Sequence, residues 1–261
     1  MLKNGNFHYK KSMGQHFLKN PEIARHIVDS LQLTTADDVV FEIGPGSGIL
    51  TQFLIDKFPL LKLIELDREA ISLLKENFQN IDKKIIRGNI LKIELLDYAN
   101  RFSIIGNMPY NISGPLLFNA LKYSEHLIEW VGMLQLEVVQ RILARPKTKE
   151  YGKLSVLLQA YFDIKQIMRL SPASFYPPPK VSSAVIRMIP KHTTNIPKTN
   201  YDDFVKIVKL SFTHRRKTLR NNLLETLDKE ILKDDFFNKR PEELSWQEYD
   251  DMIQHFLYKN N

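Results

Sequence analysis

Apolar residues in the first half of the chain form short continuous runs at 39–43, 61–66, 84–86 and 103–105. Runs of this kind, bounded by glycine or polar residues, are typical of strands buried on both faces of a sheet. Between them, apolar positions recur every three to four residues and predict helices, one through Lys57 and one from Asp67 to Phe78. Strands that alternate with helices predict a doubly wound α/β fold with a largely parallel sheet.

The first 19 residues form a polar, basic arm without an apolar run, so we expect no signal peptide. Asn20 and Pro21 then open a helix as its N-cap and its first residue. No apolar stretch in the sequence approaches the ~18 residues that a membrane span needs. The chain also has no cysteine, which excludes disulfides, a cysteine nucleophile and thiolate zinc sites. Together these features predict a cytoplasmic protein.

A polar segment with two prolines, residues 190–197, has the composition of a linker. We therefore expect a sheet domain over residues 1–190, of which the arm is part, and a small all-α domain over residues 191–261. The helices of the second domain are predicted at 201–210, 217–227 and 245–258.

The charge of the chain is unevenly distributed. The net charge of the 261 residues is +7, but residues 221–261 hold ten acids and only five bases. The excess of bases therefore lies in residues 1–220, with 32 bases against 20 acids. Such a basic body indicates a polyanionic partner, and nucleic acid is favoured over a membrane because no basic amphipathic helix is evident. A basic protein without such a partner is the alternative.

A glycine-rich turn follows the first strand, at residues 41–48, and opens a helix. Gly44 and Gly46 let the backbone approach a ligand closely, and Glu65 at the end of the next strand can accept both hydroxyls of a ribose. Ile49 stands where the dinucleotide fingerprint would need a glycine. The pattern therefore favours a nucleoside without phosphates, S-adenosylmethionine (SAM) first, over a nicotinamide cofactor. A tight turn that binds no ligand is the alternative.

Asn89 ends the third strand at the same rim of the sheet. Its amide oxygen can accept a hydrogen bond from the adenine amine of SAM, but more weakly than the aspartate that many SAM sites have there. The alternative role is that of a turn former.

The fourth strand runs directly into Asn107, Met108, Pro109 and Tyr110. This run suits the exocyclic amine of adenine, whose lone pair is delocalised into the ring. The Asn107 side-chain oxygen and a backbone carbonyl, that of Met108, can hold the two N–H groups so that the lone pair faces the methyl donor. Pro109 fixes the backbone, and Tyr110 offers a ring on which the base stacks. Such a displacement needs neither a metal nor a covalent nucleophile.

With these residues in place, the sequence resembles the KsgA (RsmA) family of small-subunit rRNA adenine N6,N6-dimethyltransferases, from about Lys10 onward. Further stretches carry the resemblance: 14–18, 133–139, 151–156 and 175–181. It implies a Rossmann-like SAM-dependent methyltransferase sheet followed by the small helical domain. It also implies dimethylation of two adjacent adenosines in the 3′-terminal hairpin loop of 16S rRNA, within the immature small ribosomal subunit.

The resemblance assigns roles to individual residues. Those implied to contact SAM are His16, Leu18, Gly44, Glu65, Asn89 and Asn107, to which the glycine turn adds Gly46. Phe175 is implied to stack on the target base opposite Tyr110; a core aromatic beside a proline-rich turn is the alternative. Two residues depart from the family pattern: Met108 replaces leucine, which matters little if its carbonyl acts, and Asn89 replaces aspartate, which puts cofactor affinity in question.

A second set of residues indicates where RNA binds. Basic residues concentrate near the start of the helical domain, and a helix there would place Arg216 and Arg220 on one face, toward a phosphate backbone. The residues predicted to contact RNA are Lys10, Lys11, Arg215, Arg216, Lys217 and Arg220. A solvated helix face is the alternative.

Two other functions remain possible on the sequence alone. One is a 23S rRNA adenine N6-methyltransferase of the antibiotic-resistance type, which the stretches at 151–156 and 175–181 disfavour. The other is a non-catalytic RNA-binding assembly factor on the same fold, which the intact run from Asn107 to Tyr110 disfavours. Nothing in the sequence suggests more than a monomer.

Overall fold

The structure, a computed structural model, describes residues 16–191 and 197–258. The chain divides into two compact units. Among the described residues, the first unit consists of 16–139 and 164–190, and the second of 140–163 with 191 and 197–258. The division after Pro190 coincides with the linker expected there, but residues 140–163, which we had expected in the sheet domain, belong to the second unit.

Within the described residues, seven strands form one sheet, and two short strands form a separate pair. The strands are Phe17–Leu18 (β1), Val39–Ile43 (β2), Leu61–Glu65 (β3), Ile85–Arg87 (β4), Phe102–Asn107 (β5), Leu127–Gln135 (β6), Phe162–Leu170 (β7), Phe175–Tyr176 (β8) and Ser183–Pro190 (β9). The sheet order is β4-β3-β2-β5-β6-β9-β7, and β1 pairs with β8. From β4 to β6 every pairing is parallel, whereas β6 and β9 are antiparallel. The predicted α/β fold is therefore confirmed.

Two of the four helices described in the first unit, those that begin at Pro21 and Arg68, are capped by polar side chains. The Asn20 side chain accepts a hydrogen bond from the Glu22 N–H, and Asp67 accepts one from the Glu69 N–H. The four helices are Pro21–Asp29 (α1), Thr51–Leu54 (α2), Arg68–Asn77 (α3) and Ser113–Lys122 (α4). The helix that we expected through Lys57 is thus only the four-residue α2, and residues 55–57 continue it as a turn.

The hydrophobic core of the first unit lies between the sheet and its helices. Ile27 of α1, Leu54 of α2 and Leu63 of β3 are fully buried in one cluster with Ile105 of β5. Each fully buried side chain of this kind contributes about 1.5–3 kcal/mol to stability. Because β2, β3 and β5 are parallel, their carboxyl ends all lie at one edge of the sheet.

The second unit is mostly helical. Its helices are Lys153–Tyr161 (α6), Tyr201–Ser211 (α7), Leu219–Leu223 (α8) and Trp246–Ile253 (α9), and Leu136–Ile142 (α5) spans the boundary between the units. The helix predicted at 217–227 is shorter than expected, because Thr218 caps it by accepting a hydrogen bond from the Asn221 N–H. The helix predicted at 245–258 is α9 with a π-helical continuation from Gln254 to Tyr258.

Candidate functional site

A cavity of about 330 Å³ opens at the carboxyl ends of β2, β3 and β5. Sequentially distant segments of the first unit line it: the turn after β2, the ends of β3 and β4, residues 107–112 after β5, and residues 16–18. Every residue that the resemblance implied to contact SAM lies on this cavity. The structure thus brings these residues together, and their role as SAM ligands stays a prediction.

The glycine turn has the backbone conformation for which its glycines were singled out. Gly44 and Gly46 have φ angles of +63° and +57°, which residues other than glycine rarely adopt. A Cβ atom on Gly46 would lie 2.5 Å from a ring carbon of Phe17. Gly46 therefore lets the ring of Phe17 in β1 cover the turn, where that ring forms one wall of the cavity.

Glu65, the last residue of β3, presents a buried carboxylate to the cavity. One of its oxygens accepts from the Leu66 and Asp67 N–H groups at 2.8 and 2.9 Å. Within the described part of the chain, the other oxygen accepts from the Gly46 N–H alone, at 3.2 Å. Burial raises the pKa of this carboxyl, and the three N–H groups oppose that rise. The second oxygen keeps a free lone pair for a ligand hydroxyl.

Glu42 is a lining residue that the sequence analysis did not single out. It precedes the glycine turn on β2, is fully buried, and accepts a hydrogen bond of 2.7 Å from the Thr51 hydroxyl. Burial raises its pKa to about 8, which the Thr51 hydrogen bond opposes and the nearby Glu65 carboxylate reinforces. Two buried carboxyl groups therefore line the cavity, and that of Glu42, with a pKa of about 8, is largely neutral at pH 7. The signal that could have revealed Glu42 was an acid within an otherwise apolar strand.

The raised pKa of Glu42 predicts a dependence of stability on pH. The unfolded chain ionises this carboxyl near pH 4.5 and the folded chain only near pH 8, so the folded state loses relative stability as the pH rises through this interval. The loss amounts to about 1.4 kcal/mol for each unit of pKa difference. Glu42→Gln keeps the acceptor for Thr51 and removes the charge. We expect its urea-unfolding free energy to exceed that of the wild type increasingly from pH 5 to 8; a constant difference would contradict the assignment.

Asn89 lies at the cavity and also caps the short helical turn at Ile90–Lys92. Its side-chain oxygen accepts a hydrogen bond of 3.0 Å from the Leu91 N–H. The two roles considered for this residue are therefore compatible, because an amide oxygen has two lone pairs. The cap fixes the orientation of the side-chain oxygen.

Asn107 has a defined side-chain orientation. Its Nδ2 atom donates to the backbone carbonyl of His16 at 2.6 Å. Because a carbonyl only accepts, this contact assigns the nitrogen to the His16 side and leaves Oδ1 as the free acceptor. The Asn107 oxygen is thus oriented so that it can accept a hydrogen bond from an amine N–H.

The backbone after Asn107 is held in a similar way. Met108 is buried, and its N–H donates to the Met133 carbonyl of β6 at 3.1 Å. Pro109 precedes the helical turn Tyr110–Ile112. Among the described residues, none donates a hydrogen bond to the Met108 carbonyl. This is compatible with a carbonyl that accepts from a ligand N–H, and that role of Met108 stays a prediction.

Tyr110 is half-buried at the rim of the cavity. Its hydroxyl and that of Ser183 are 2.5 Å apart, and its ring packs against the His16 ring at a centroid distance of 5.3 Å. The His16 Nδ1 atom lies 2.8 Å from the Pro177 carbonyl, so it is the protonated nitrogen of the ring. Burial raises the pKa of the Tyr110 hydroxyl, which stays neutral.

The structure does not place Phe175 opposite Tyr110. Phe175 is 1% exposed, lies in the hydrophobic core with Leu18 and Val185, and is not part of the cavity lining. The reason is strand alternation, since successive residues of β8 point to opposite faces: Phe175 points inward, and Tyr176 is 52% exposed. In this conformation, the prediction that Phe175 stacks on the target base is wrong.

The residues predicted to bind RNA have different surroundings. Lys10 and Lys11 lie outside the described residues. Arg216 and Lys217 are exposed in the turn before α8, so the expected helix face shared by Arg216 and Arg220 does not exist. Arg220 instead donates to the Leu232 carbonyl at 2.8 Å and to two further carbonyls at the end of a helical turn. Its guanidinium is held by backbone carbonyls of the second unit, and its contact with RNA stays a prediction.

Arg215 connects two basic segments of the second unit. Its guanidinium donates to the carbonyls of Thr148 and Lys149. The loop with Arg145, Lys147 and Lys149 therefore lies against the turn at 214–217, and the side chains of both segments are exposed. Sequence reasoning missed this loop because about 66 residues separate it from Arg215, and its only signal was three cations within five residues.

No group of three or more histidines, aspartates and glutamates is arranged to hold a metal ion among residues 16–191 and 197–258. No helix in the same ranges is both long enough and apolar enough to cross a membrane.

Comparison with known proteins identifies the family. Residues 6–261 match the family described as ribosomal RNA adenine dimethylase. The chain belongs to this family. It is 45% identical over 246 residues to the ribosomal RNA small subunit methyltransferase A of Cytophaga hutchinsonii, with 93% of this chain and 95% of that one covered. It is 44% identical to the protein of the same name from Phocaeicola vulgatus, with 92% and 86% covered.

A solved structure agrees with this assignment. The dimethyladenosine transferase of Plasmodium falciparum superposes with a TM-score of 0.79 at 25% identity, covering 94% of this chain and 98% of that one. The resemblance stated from the sequence is thereby confirmed. As a member of the family, the chain is a SAM-dependent rRNA adenine dimethyltransferase with a Rossmann-like methyltransferase sheet.

Proposed function

We propose that this enzyme dimethylates the N6 amines of two adjacent adenosines in the 3′-terminal hairpin loop of 16S rRNA, within the immature small ribosomal subunit. The observation that carries the proposal is the fixed amide of Asn107, whose nitrogen is bound to the His16 carbonyl and whose oxygen is left free beside the Met108 carbonyl. The similar proteins named for the small ribosomal subunit support the choice of rRNA.

The residues at the cavity fit SAM as the methyl donor. The free lone pair of the Glu65 carboxylate suits a ribose hydroxyl, and the Asn89 oxygen suits an adenine amine. Gly44 and Gly46 keep the turn free of side chains, and a Cβ atom on Gly46 would displace the Phe17 ring from the wall of the cavity. Leu18 and His16 close the cavity from the arm. When bound, SAM supplies an electrophilic methyl group on its sulfonium.

The chain contributes positioning to the reaction. The Asn107 oxygen and the Met108 carbonyl accept the two N–H groups of the target amine, which orients the nitrogen so that its lone pair, otherwise delocalised into the ring, faces the methyl donor. Tyr110 supports the base by stacking, worth about 1–3 kcal/mol per base. Fixed acceptors need no reorganisation at the moment of transfer, which is the main source of rate enhancement in such a site.

An unpaired loop adenosine suits this geometry. A base must leave its stack to place N6 between Asn107 and Met108, and the bases of a hairpin loop are the cheapest to extrude. In a bacterial cell, a ribosomal precursor as substrate would place the enzyme in the cytoplasm.

Competition between ribosomal particles tests this choice of target. Equal amounts of immature small subunits and large subunits, both from cells without the modification, are incubated with the enzyme and methyl-labelled SAM. We expect label in 16S rRNA at four methyl groups per particle, two on each adenosine. Label confined to 23S rRNA would refute the proposed target and favour the resistance-type activity.

We also propose that the two basic segments joined by Arg215 bind the RNA backbone. Arg145, Lys147, Lys149, Arg215, Arg216 and Lys217 are exposed, and none of them forms an ion pair with a described carboxylate. Other exposed lysines of the chain, such as Lys57 and Lys122, do pair with acids. Unpaired cations on two adjoining segments present the charge that a phosphate backbone attracts.

The salt dependence of RNA binding checks this surface. We expect the triple variant R145Q/K147Q/K149Q to bind the rRNA hairpin more weakly and to lower the slope of log K against log salt by about 0.7–0.9 for each phosphate that the variant no longer neutralises. The SAM affinity should not change. The matched control K198Q/K229Q/K233Q removes three cations elsewhere in the second unit. Equal slopes for the two triple variants would exclude the loop from the RNA surface.

A further inference from the structure

Ser183 is a strand residue whose hydroxyl contacts Tyr110, the last residue of the run Asn107–Tyr110. It is the first residue of β9, pairs with Gln135 of β6, and is fully buried. Its hydroxyl is 2.5 Å from that of Tyr110, 73 residues earlier in the chain. The ring of Tyr110 belongs to the short turn after Pro109, whereas the partner of its hydroxyl belongs to a regular strand.

Tyr110 is therefore fixed at two places. The Ser183 hydroxyl holds the outer end of its side chain, and the His16 ring covers part of its surface at a tilt of 35°. His16 is itself fixed, because its Nδ1 bonds to the Pro177 carbonyl and its own carbonyl holds Asn107. Asn107, the proposed acceptor for the target amine, and Tyr110, the proposed stacking ring, are thus both in contact with His16.

The need for this support changes between the two methylations, if the enzyme acts as proposed above. In each transfer the N6 nitrogen forms a bond to the methyl carbon, the bond from that carbon to sulfur breaks, and N6 loses one proton. An unmodified amine offers two N–H groups to Asn107 and Met108. A monomethylated amine offers only one, so one of the two acceptors loses its partner and stacking must supply more of the alignment.

From this we infer that Ser183 is a positioning residue, which holds the ring of Tyr110 and contributes most to the second methylation. The inference rests on the proposed function, because it requires that one adenosine is methylated twice. Ser183 touches neither the base nor the donor in this account, and it acts through Tyr110.

The product distribution tests the inference. With Ser183→Ala, we expect the ratio of dimethyladenosine to monomethyladenosine in the rRNA to fall about threefold to tenfold, the range that one hydrogen bond spans. The first methylation should slow less. The matched control Ser103→Ala removes another fully buried serine hydroxyl of the sheet, which bonds to Thr34 at 2.6 Å, and should leave the ratio unchanged.

Equilibrium binding provides a readout that does not depend on turnover. We expect Ser183→Ala to weaken binding of an rRNA hairpin with N6-methyladenosine at the target more than binding of the unmodified hairpin. In a Tyr110→Phe background the serine substitution should have no further effect, because its partner is absent. An unchanged product ratio in Ser183→Ala, or additive effects of the two substitutions, would overturn the inference. A wild-type enzyme that makes no dimethyladenosine would instead refute the proposed function.

Discussion

Replacing Asn107 with alanine is expected to reduce the rate of methyl transfer by at least about 10²–10³, the cost of removing one fixed hydrogen-bonding group at a reacting centre. The substitution removes the free Oδ1 acceptor and also the Nδ2 hydrogen bond to the His16 carbonyl. The target amine then loses an N–H partner, and the segment at 16–18 loses a hydrogen bond to the catalytic run. Single-turnover transfer to the rRNA measures the effect.

Separate measurements show whether this loss concerns the chemical step. RNA binding by Asn107→Ala should stay within a few-fold of the wild type, since Tyr110 and the basic segments are retained. Asn100→Ala is the matched control, because this exposed asparagine lies just before β5 and away from the cavity lining. Full activity in Asn107→Ala would contradict the role assigned to the side-chain oxygen.

Replacing Glu65 with glutamine is expected to weaken SAM binding about 10- to 100-fold. Hydrogen bonds to a charged group contribute about 1.5–3 kcal/mol each, and the neutral amide forfeits this gain. The glutamine side chain must also place its NH₂ group, a donor, against a backbone N–H, which is a donor too. That N–H is either the one of Gly46 or those of Leu66 and Asp67. Calorimetric titration with SAM gives the affinity, and thermal unfolding of the free variant shows whether the turn is intact.

The pH dependence of SAM binding distinguishes charge from shape at this position. Burial raises the pKa of Glu65, so its carboxylate takes up a proton at a higher pH than an exposed glutamate does. SAM affinity of the wild type should therefore fall as the pH is lowered, and Glu65→Gln should lack this component. Glu76→Gln, the same change at an exposed position of α3, should behave as the wild type. A Glu65→Gln variant with wild-type affinity would contradict the ribose-binding role.

The first unit was largely predictable because its sequence signals are local. Apolar runs such as 39–43 place the strands, and Asn20 caps the helix that follows it in the chain. The carboxyl ends of parallel strands share one edge, so the glycine turn, Glu65, Asn89 and Asn107 had to meet there. The resemblance of the motifs supplied two further lining residues, His16 and Leu18.

The differences from the predictions arose where long-range packing decides the outcome. Phe175 could face either side of β8, and only its packing with Leu18 and Val185 sets the direction. Arg220 could reach solvent or the carbonyls near Leu232, and the nearby helical turn offers it partners. The arrangement of residues 140–163 with the second unit, and the hydrogen bond between Ser183 and Tyr110, likewise depend on residues far apart in the sequence.

The identity of the modified nucleoside tests the central claim most directly. The enzyme and SAM are incubated with immature small subunits that lack the modification, and the rRNA is digested to nucleosides and analysed by mass spectrometry. We expect N6,N6-dimethyladenosine at two adjacent positions of the 3′-terminal hairpin loop of 16S rRNA, with none formed by Asn107→Ala. Absence of this nucleoside on a competent particle, or its appearance at other positions only, would contradict the account.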